Sequence, residues 1–153
     1  ITTSFYESKY AGSDGVVRNT DFNGNYMFNA LGTKEFPVTE NATFGIGAKV
    51  TYAGGKRYGI VDTLSSNTRK EIVWKDDQRN EFQLPDYFRT DVRLTYTINR
   101  PRVSHEIAFD LVNVTDRANI LNLSWAPGIN PGTPFAYSYQ IGFLPVFYYK
   151  IDF

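Results

Sequence analysis

Cysteine is missing altogether from this chain of 153 residues, which excludes a disulfide scaffold and any thiolate metal or redox site. A single histidine is too few for a zinc site built on imidazoles, so no metal and no cofactor is expected. Net charge is missing as well. The 16 Lys and Arg balance 16 Asp and Glu, leaving neither the basic footprint of a nucleic-acid binder nor a polybasic membrane patch. No apolar run approaches the roughly 20 residues of a membrane helix, and no charged-then-apolar signal segment opens the chain. It begins with Ile1 rather than Met, from which a mature chain, a processed product or a fragment is expected. Helical periodicity is scarce too, since no long segment repeats its apolar residues every 3.6 positions.

What the chain has instead is aromatic residues, 12 Phe, 11 Tyr and 2 Trp, in a mixture with Thr, Val and Ile that favours strands. Period two is clearest over 86 to 98, where Phe88, Thr90, Val92, Leu94, Tyr96 and Ile98 share one face and Arg89, Asp91, Arg93, Thr95 and Thr97 the other. The next segment repeats it, with Val103, His105, Ile107, Phe109 and Leu111 opposed to Ser104, Glu106, Ala108 and Asp110. A four-residue turn, 99 to 102, would pair Ile98 with Val103, Tyr96 with His105, Leu94 with Ile107 and Val92 with Phe109. Asp91 would then meet Asp110, with Arg89 and Arg93 as diagonal neighbours. A register error of one residue would mix the two faces.

Weaker alternation runs over 43 to 53 and 22 to 36, with Phe22, Tyr26, Phe28 and Ala30 on one side of the latter, and 1 to 10 reads as a first strand. The chain closes on FLPVFYYKIDF, 143 to 153, whose odd positions are apolar and whose even positions turn charged. About six antiparallel, up-and-down strands are expected. Long polar connections at 11 to 21, 54 to 85 and 114 to 136 fall on one edge, and short ones at 37 to 42 and 99 to 102 on the other. Outer-membrane barrels show this asymmetry, and it puts the C-terminus on the periplasmic, short-turn side.

The charged face could be the outside of a soluble sandwich or barrel with the apolar face as its core. Two features favour lipid outside. The strands run to about 10 to 14 residues against the usual five or six, and aromatics gather near their ends: Tyr87, Phe88 and Tyr52 toward the long loops, Phe36 and Phe153 toward the short turns. Six strands cannot close a membrane barrel, whose usual minimum is eight, so the fold expected is the C-terminal portion of a transmembrane β-barrel, part of something larger.

LPDYFRTDVRLTYTINRP (84 to 101), HEIAFDLVNVTDRANI (105 to 120) and GFLPVFYYKIDF (142 to 153) together resemble the C-terminal end of TonB-dependent outer-membrane receptors. GSDGVVRNTDFNGNYMFNALGTKEF (12 to 36) and TYAGGKRYGIVD (51 to 62) are similar to the Bacteroidota branch of that family. The resemblance implies that residues 1 to 153 are the C-terminal segment of a 22-stranded barrel without its plug domain, in a porin-like transport protein for nutrient uptake. The implied partners are the remaining barrel strands and plug, the TonB complex acting through that plug, the outer-membrane assembly machinery and the lipid bilayer. Phe147, Tyr149, Ile151 and Phe153 match the family's assembly signal.

The inward cluster Arg89, Asp91, Arg93, Glu106 and Asp110 reads as an ion-pair lattice on a wet lumen wall, with contact to substrate or plug as the alternative. No nucleophile, base and orienter line up, so an enzyme is not expected. Tyr58, Trp74 and Trp125, in long loops, are candidates for stacking on a sugar or aromatic ligand, or simply pack those loops. Gly54 and Gly55 suggest a sharp turn rather than a phosphate cradle, since neither a Walker pattern nor a following helix is evident. His105 is expected to pack at an interface opposite Tyr96. Asn41, Asn113 and Asn122 stand in N-x-S/T triplets that carry little meaning outside a eukaryotic secretory context. The reading from another class is a soluble all-β ligand-binding module using the 54 to 85 loop.

Overall fold

The computed structural model describes residues 1–130 and 132–153. Among them the strands, in chain order, are β1 (Thr2–Phe5), β2 (Lys9–Ala11), β3 (Val17–Asn19), β4 (Tyr26–Thr39), β5 (Ala42–Ala53), β6 (Arg57–Tyr58), β7 (Phe82–Gln83), β8 (Tyr87–Asn99), β9 (Ser104–Val112), β10 (Ile120–Asn130), β11 (Thr133–Tyr139) and β12 (Leu144–Asp152). Between β6 and β7 lie a short α-helix, α1 (Thr63–Arg69), and a single 3-10 turn, Asp76–Gln78. β1, β4, β5, β8, β9 and β12 form a six-stranded antiparallel meander in that order, each strand beside the one before it. The sheet is open, with β1 and β12 as its edges, and does not close into a barrel.

The alternating residues sort as period two requires. Phe28, Tyr52 and Phe88 stand side by side across β4, β5 and β8. Phe36, Phe44, Tyr96, Ile107 and Tyr149 make a second row across five strands. Tyr87 belongs to the other face, opposite Ala53, so it is not part of the first row, and Phe153 lies beyond the end of β12, fully exposed.

The β8–β9 hairpin keeps the expected parity but sits two residues from the expected register. Ile98 faces His105, Leu94 faces Phe109, and Arg93 faces Asp110. The Arg100 N–H donates to the Val103 carbonyl at 2.9 Å and the Val103 N–H to that of Arg100 at 3.3 Å, leaving Pro101 and Arg102 as the tip. Proline suits the second position of a β-turn, which selects this tighter closure. The shift also removes the Asp91–Asp110 like-charge pair.

The long polar connections carry elements of their own. The first strand stops at Phe5, and Lys9–Ala11 turns away to pair with β3. β4 begins at Tyr26, so Phe22 is off the sheet and 67% exposed. β6 pairs with β7, and β10 pairs with β11 in a long hairpin over much of 114 to 136. The Asp62 carboxylate caps α1 by accepting from the N–H groups of Leu64 and Ser65 at 3.1 Å each and from the Ser65 hydroxyl at 2.7 Å. These donors hold its pKa below the usual carboxylate range. A helix therefore does follow the Gly54-Gly55 pair, and its N-terminus is already filled by a carboxylate.

Gly54 and Gly55 do not make a sharp turn. A Cβ on Gly54 would lie 1.8 Å from the Gly24 carbonyl oxygen and one on Gly55 2.0 Å from that of Leu84. They permit backbones to touch, a use of glycine that sequence does not distinguish from a turn.

Among the described residues the buried apolar set is small: Ala42, Ala53, Val61, Leu84, Ala108 and Phe135. The chain exposes 10194 Å², against roughly 7,900 Å² expected for a compact monomer of this mass. The difference reflects a single-layer sheet, with Phe36, Ile46, Ile107, Phe147 and Tyr149 all exposed on its apolar face.

Candidate functional site

On the polar face, β8 and β9 bring the five expected charged residues together. Arg89 Nε lies 2.7 Å from Asp91 Oδ1, which also accepts the Asn113 N–H at 2.9 Å. Arg93 pairs with Glu106 at 3.5 Å and with Asp110 at 3.7 Å, and its guanidinium covers the Tyr148 ring at 5.0 Å. All five side chains thus find partners within the group, as a structural lattice does. At this exposure each pair is worth about 0–1 kcal/mol, so the lattice sets geometry more than stability.

The long connections build a second candidate. Arg57 Nε donates to the Asn23 carbonyl and Arg57 Nη2 to Asn25 Oδ1, both at 2.9 Å. Asn80, buried at 2% exposure, donates to the Asn19 carbonyl and to Asp21 Oδ1, both at 2.8 Å. Asn23, at 1%, accepts the Ser8 N–H and donates to Asn19 Oδ1. Buried amides earn their place only when paired, and these pairs tie the first long connection to the second.

This framework supports an aromatic cluster. Tyr58 on β6 lies with ring centroids 6.3 Å from Trp74, 5.6 Å from Phe82 and 5.9 Å from Phe135. Tyr58 and Trp74 line a cleft of about 350 Å³ together with Phe22, Lys56 and Asn122. Lys56 Nζ donates to the Leu121 carbonyl at 3.2 Å and stands 5.3 Å over the Phe22 ring. Aromatic faces beside amides and an ammonium can take a flat or polyhydroxylated solute. Trp125, on β10 across from Phe135, does not line this cleft.

At the sheet's upper margin the Tyr52 hydroxyl donates to Asp86 at 2.7 Å, and with Tyr26 it holds that carboxyl below its usual pKa. Below it, Phe147, Tyr149 and Ile151 of β12 stand opposite Phe109, Ile107 and His105. His105 faces Ile98 and Ile151 rather than Tyr96, and its side-chain partner is Tyr149 at 2.7 Å.

Several residues were missed by sequence reasoning. Phe135 is the buried member of the aromatic cluster, and only its flanking alternation Phe135, Tyr137, Tyr139 hinted at a strand. Asn119 accepts the Phe88 N–H at 3.0 Å and donates to the Phe88 carbonyl at 2.8 Å, standing in for a neighbouring strand. Asn113, 2% exposed with φ 52, turns the chain out of β9 and donates to the Arg117 and Ile141 carbonyls. The NVTDR stretch is therefore a clasp between strand exits.

No protein-family model, no curated protein and no solved structure matches this chain.

Proposed function

We propose that this chain is a wall segment of a β-barrel in the bacterial outer membrane, belonging to a TonB-dependent receptor for nutrient uptake. It supplies strands and outward-facing loops and does no chemistry of its own. The observation that supports this is the uncovered apolar face with its two aromatic rows. Phe28 to Phe36, Tyr52 to Phe44 and Phe88 to Tyr96 are each eight residues apart, about 26 Å along a strand. Nine residues inclusive falls in the range of about 9–11 that a tilted strand needs to cross the hydrocarbon, and aromatic girdles at both interfaces mark such barrels. A soluble sheet would bury this face under a second layer, and none of the described residues provides one.

In this reading the lattice of Arg89, Asp91, Arg93, Glu106 and Asp110 faces the lumen. The open edges at β1 and β12 pair with strands outside the chain, because unpaired backbone is not tolerated in hydrocarbon. The cleft at Tyr58 and Trp74 faces outward, where ligand arrives. Plug domain, TonB complex and assembly machinery are the expected partners.

The test is to purify the intact source protein from membranes, measure its mass under denaturing conditions and compare gel mobility with and without heating. A far larger, heat-modifiable species containing this sequence is expected. A water-soluble species of 17.4 kDa, indifferent to heating, would overturn the reading in favour of a soluble binding module.

A further inference from the structure

Tyr148 and Tyr149 are neighbours in β12, so they project from opposite faces of the sheet. In the ladder Tyr148 stands opposite Ala108 and Tyr149 opposite Ile107. Their hydroxyls nevertheless reach two residues back along β9. The Tyr148 hydroxyl donates to Glu106 Oε1 at 2.5 Å, and Tyr149 shares a hydrogen bond of 2.7 Å with His105 Nδ1. The imidazole and phenol planes lie within 4° of parallel, with centroids 6.1 Å apart. On the other face Arg93 pairs with the same Glu106 and covers the Tyr148 ring.

We propose that the Tyr148-Tyr149 dipeptide is a two-sided register clamp that fixes the last strand on β9. A slip of one residue would carry Phe147, Tyr149 and Ile151 to the charged face, and the apolar pattern alone forbids it. A slip of two leaves every side chain on its own face, so the pattern is silent. The clamp opposes that slip along the strand, and at the head of β12 the Asp116 carboxylate, accepting the Phe143 N–H at 2.8 Å, acts in the same sense. Slid one way, the hydroxyls come over Ile107 and Ala108, whose side chains accept nothing. Slid the other way, they come over Val103 and Ser104, with loss of both the imidazole and the carboxylate. Among the described residues β12 pairs with β9 alone, and a slip of two repeats the alternation of bonded and non-bonded pairs in an antiparallel ladder, so that ladder does little to oppose it. The inference rests on the sheet itself and holds whether or not the apolar face meets lipid.

The chain contains no cysteine, so introduced pairs can report register in the intact protein by mass spectrometry of disulfide-linked peptides. Phe109→Cys with Phe147→Cys reports the observed register, since directly opposed residues lie within disulfide reach. Phe147→Cys with Ile107→Cys or Leu111→Cys reports a two-residue slip, because diagonal neighbours at about 7–8 Å are out of reach. With both tyrosines present only the first pair should link. Replacing both by Phe keeps the rings and the contact with Arg93 but removes the hydroxyls. The slipped links should then rise by between about twofold and tenfold for each hydroxyl lost. Slipped links that stay at their starting level while the native pair still forms would overturn the clamp. If the double variant loses the native link as well, Tyr148→Phe and Tyr149→Phe taken singly carry the test: each must raise a slipped link, and no rise in either overturns the proposal.

Discussion

Phe135→Ala should undock the β10–β11 hairpin from the loop layer while leaving the six-stranded sheet intact. Phe135 is 5% exposed, and its ring lies 5.9 Å from Tyr58, 6.4 Å from Trp74 and 5.6 Å from Tyr137. Neither strand of the hairpin shares a ladder with the main sheet. Two of its other ties are polar, Lys56 Nζ to the Leu121 carbonyl at 3.2 Å and the Asn119 side chain, which accepts the Phe88 N–H at 3.0 Å and donates to the Phe88 carbonyl at 2.8 Å. Truncating a buried Phe costs about 3–5 kcal/mol. Tyr58 and Trp74 are only half-buried, so the low end applies, about 3 kcal/mol, or roughly a 100-fold rise in the open population at 1.4 kcal/mol per decade. Native-state proteolysis reads this directly when reclosing is faster than cleavage. Cuts within 120–139, located by mass spectrometry, should appear about 100-fold faster in the variant, with cuts in β4, β5 and β8 unchanged. An acceleration below about fivefold would refute the assignment of Phe135 as the anchor, and equal acceleration in the main sheet would refute the independence of the hairpin.

Gly54→Ala should lower the thermal midpoint of the intact protein, because the new Cβ meets the Gly24 carbonyl group rather than a side chain that could move; overpacking of this kind costs about 1–3 kcal/mol or more, and an unchanged midpoint would contradict the close crossing. In the first long connection, the Arg18 guanidinium, then the Val16 N–H, hold Asp14 down at about 2. Its folded value lies below that of an unfolded carboxyl, so its contribution is complete above about pH 4 and is lost as pH falls through 2. Amide exchange in β2 and β3, corrected for intrinsic rates, should show protection falling across that window. Asp14→Asn should abolish the dependence, and a wild-type profile flat from pH 5 to 2 would contradict it.

The alternation over 86 to 98, 103 to 111 and 143 to 153 determined on its own that β8, β9 and β12 are strands, and which side chains share a face. Period two is a local property, written wherever an apolar residue follows a polar one. The same rule put Arg89, Asp91, Arg93, Glu106 and Asp110 on one wall and revealed the alternation of long and short connections. It could not choose between registers that differ by two residues, since both satisfy every face. The tip at Pro101 and Arg102, and in β12 the diagonal reach of Tyr148 and Tyr149, lie outside what periodicity encodes. Nor could it assemble the loop layer. Tyr58, Trp74 and Phe135 meet across up to 77 positions of chain, through buried amides of Asn23 and Asn80 and glycines that let backbones touch. Such pairings leave no period in the sequence, because each depends on a partner far along the chain, and only the tertiary structure brings those partners into contact.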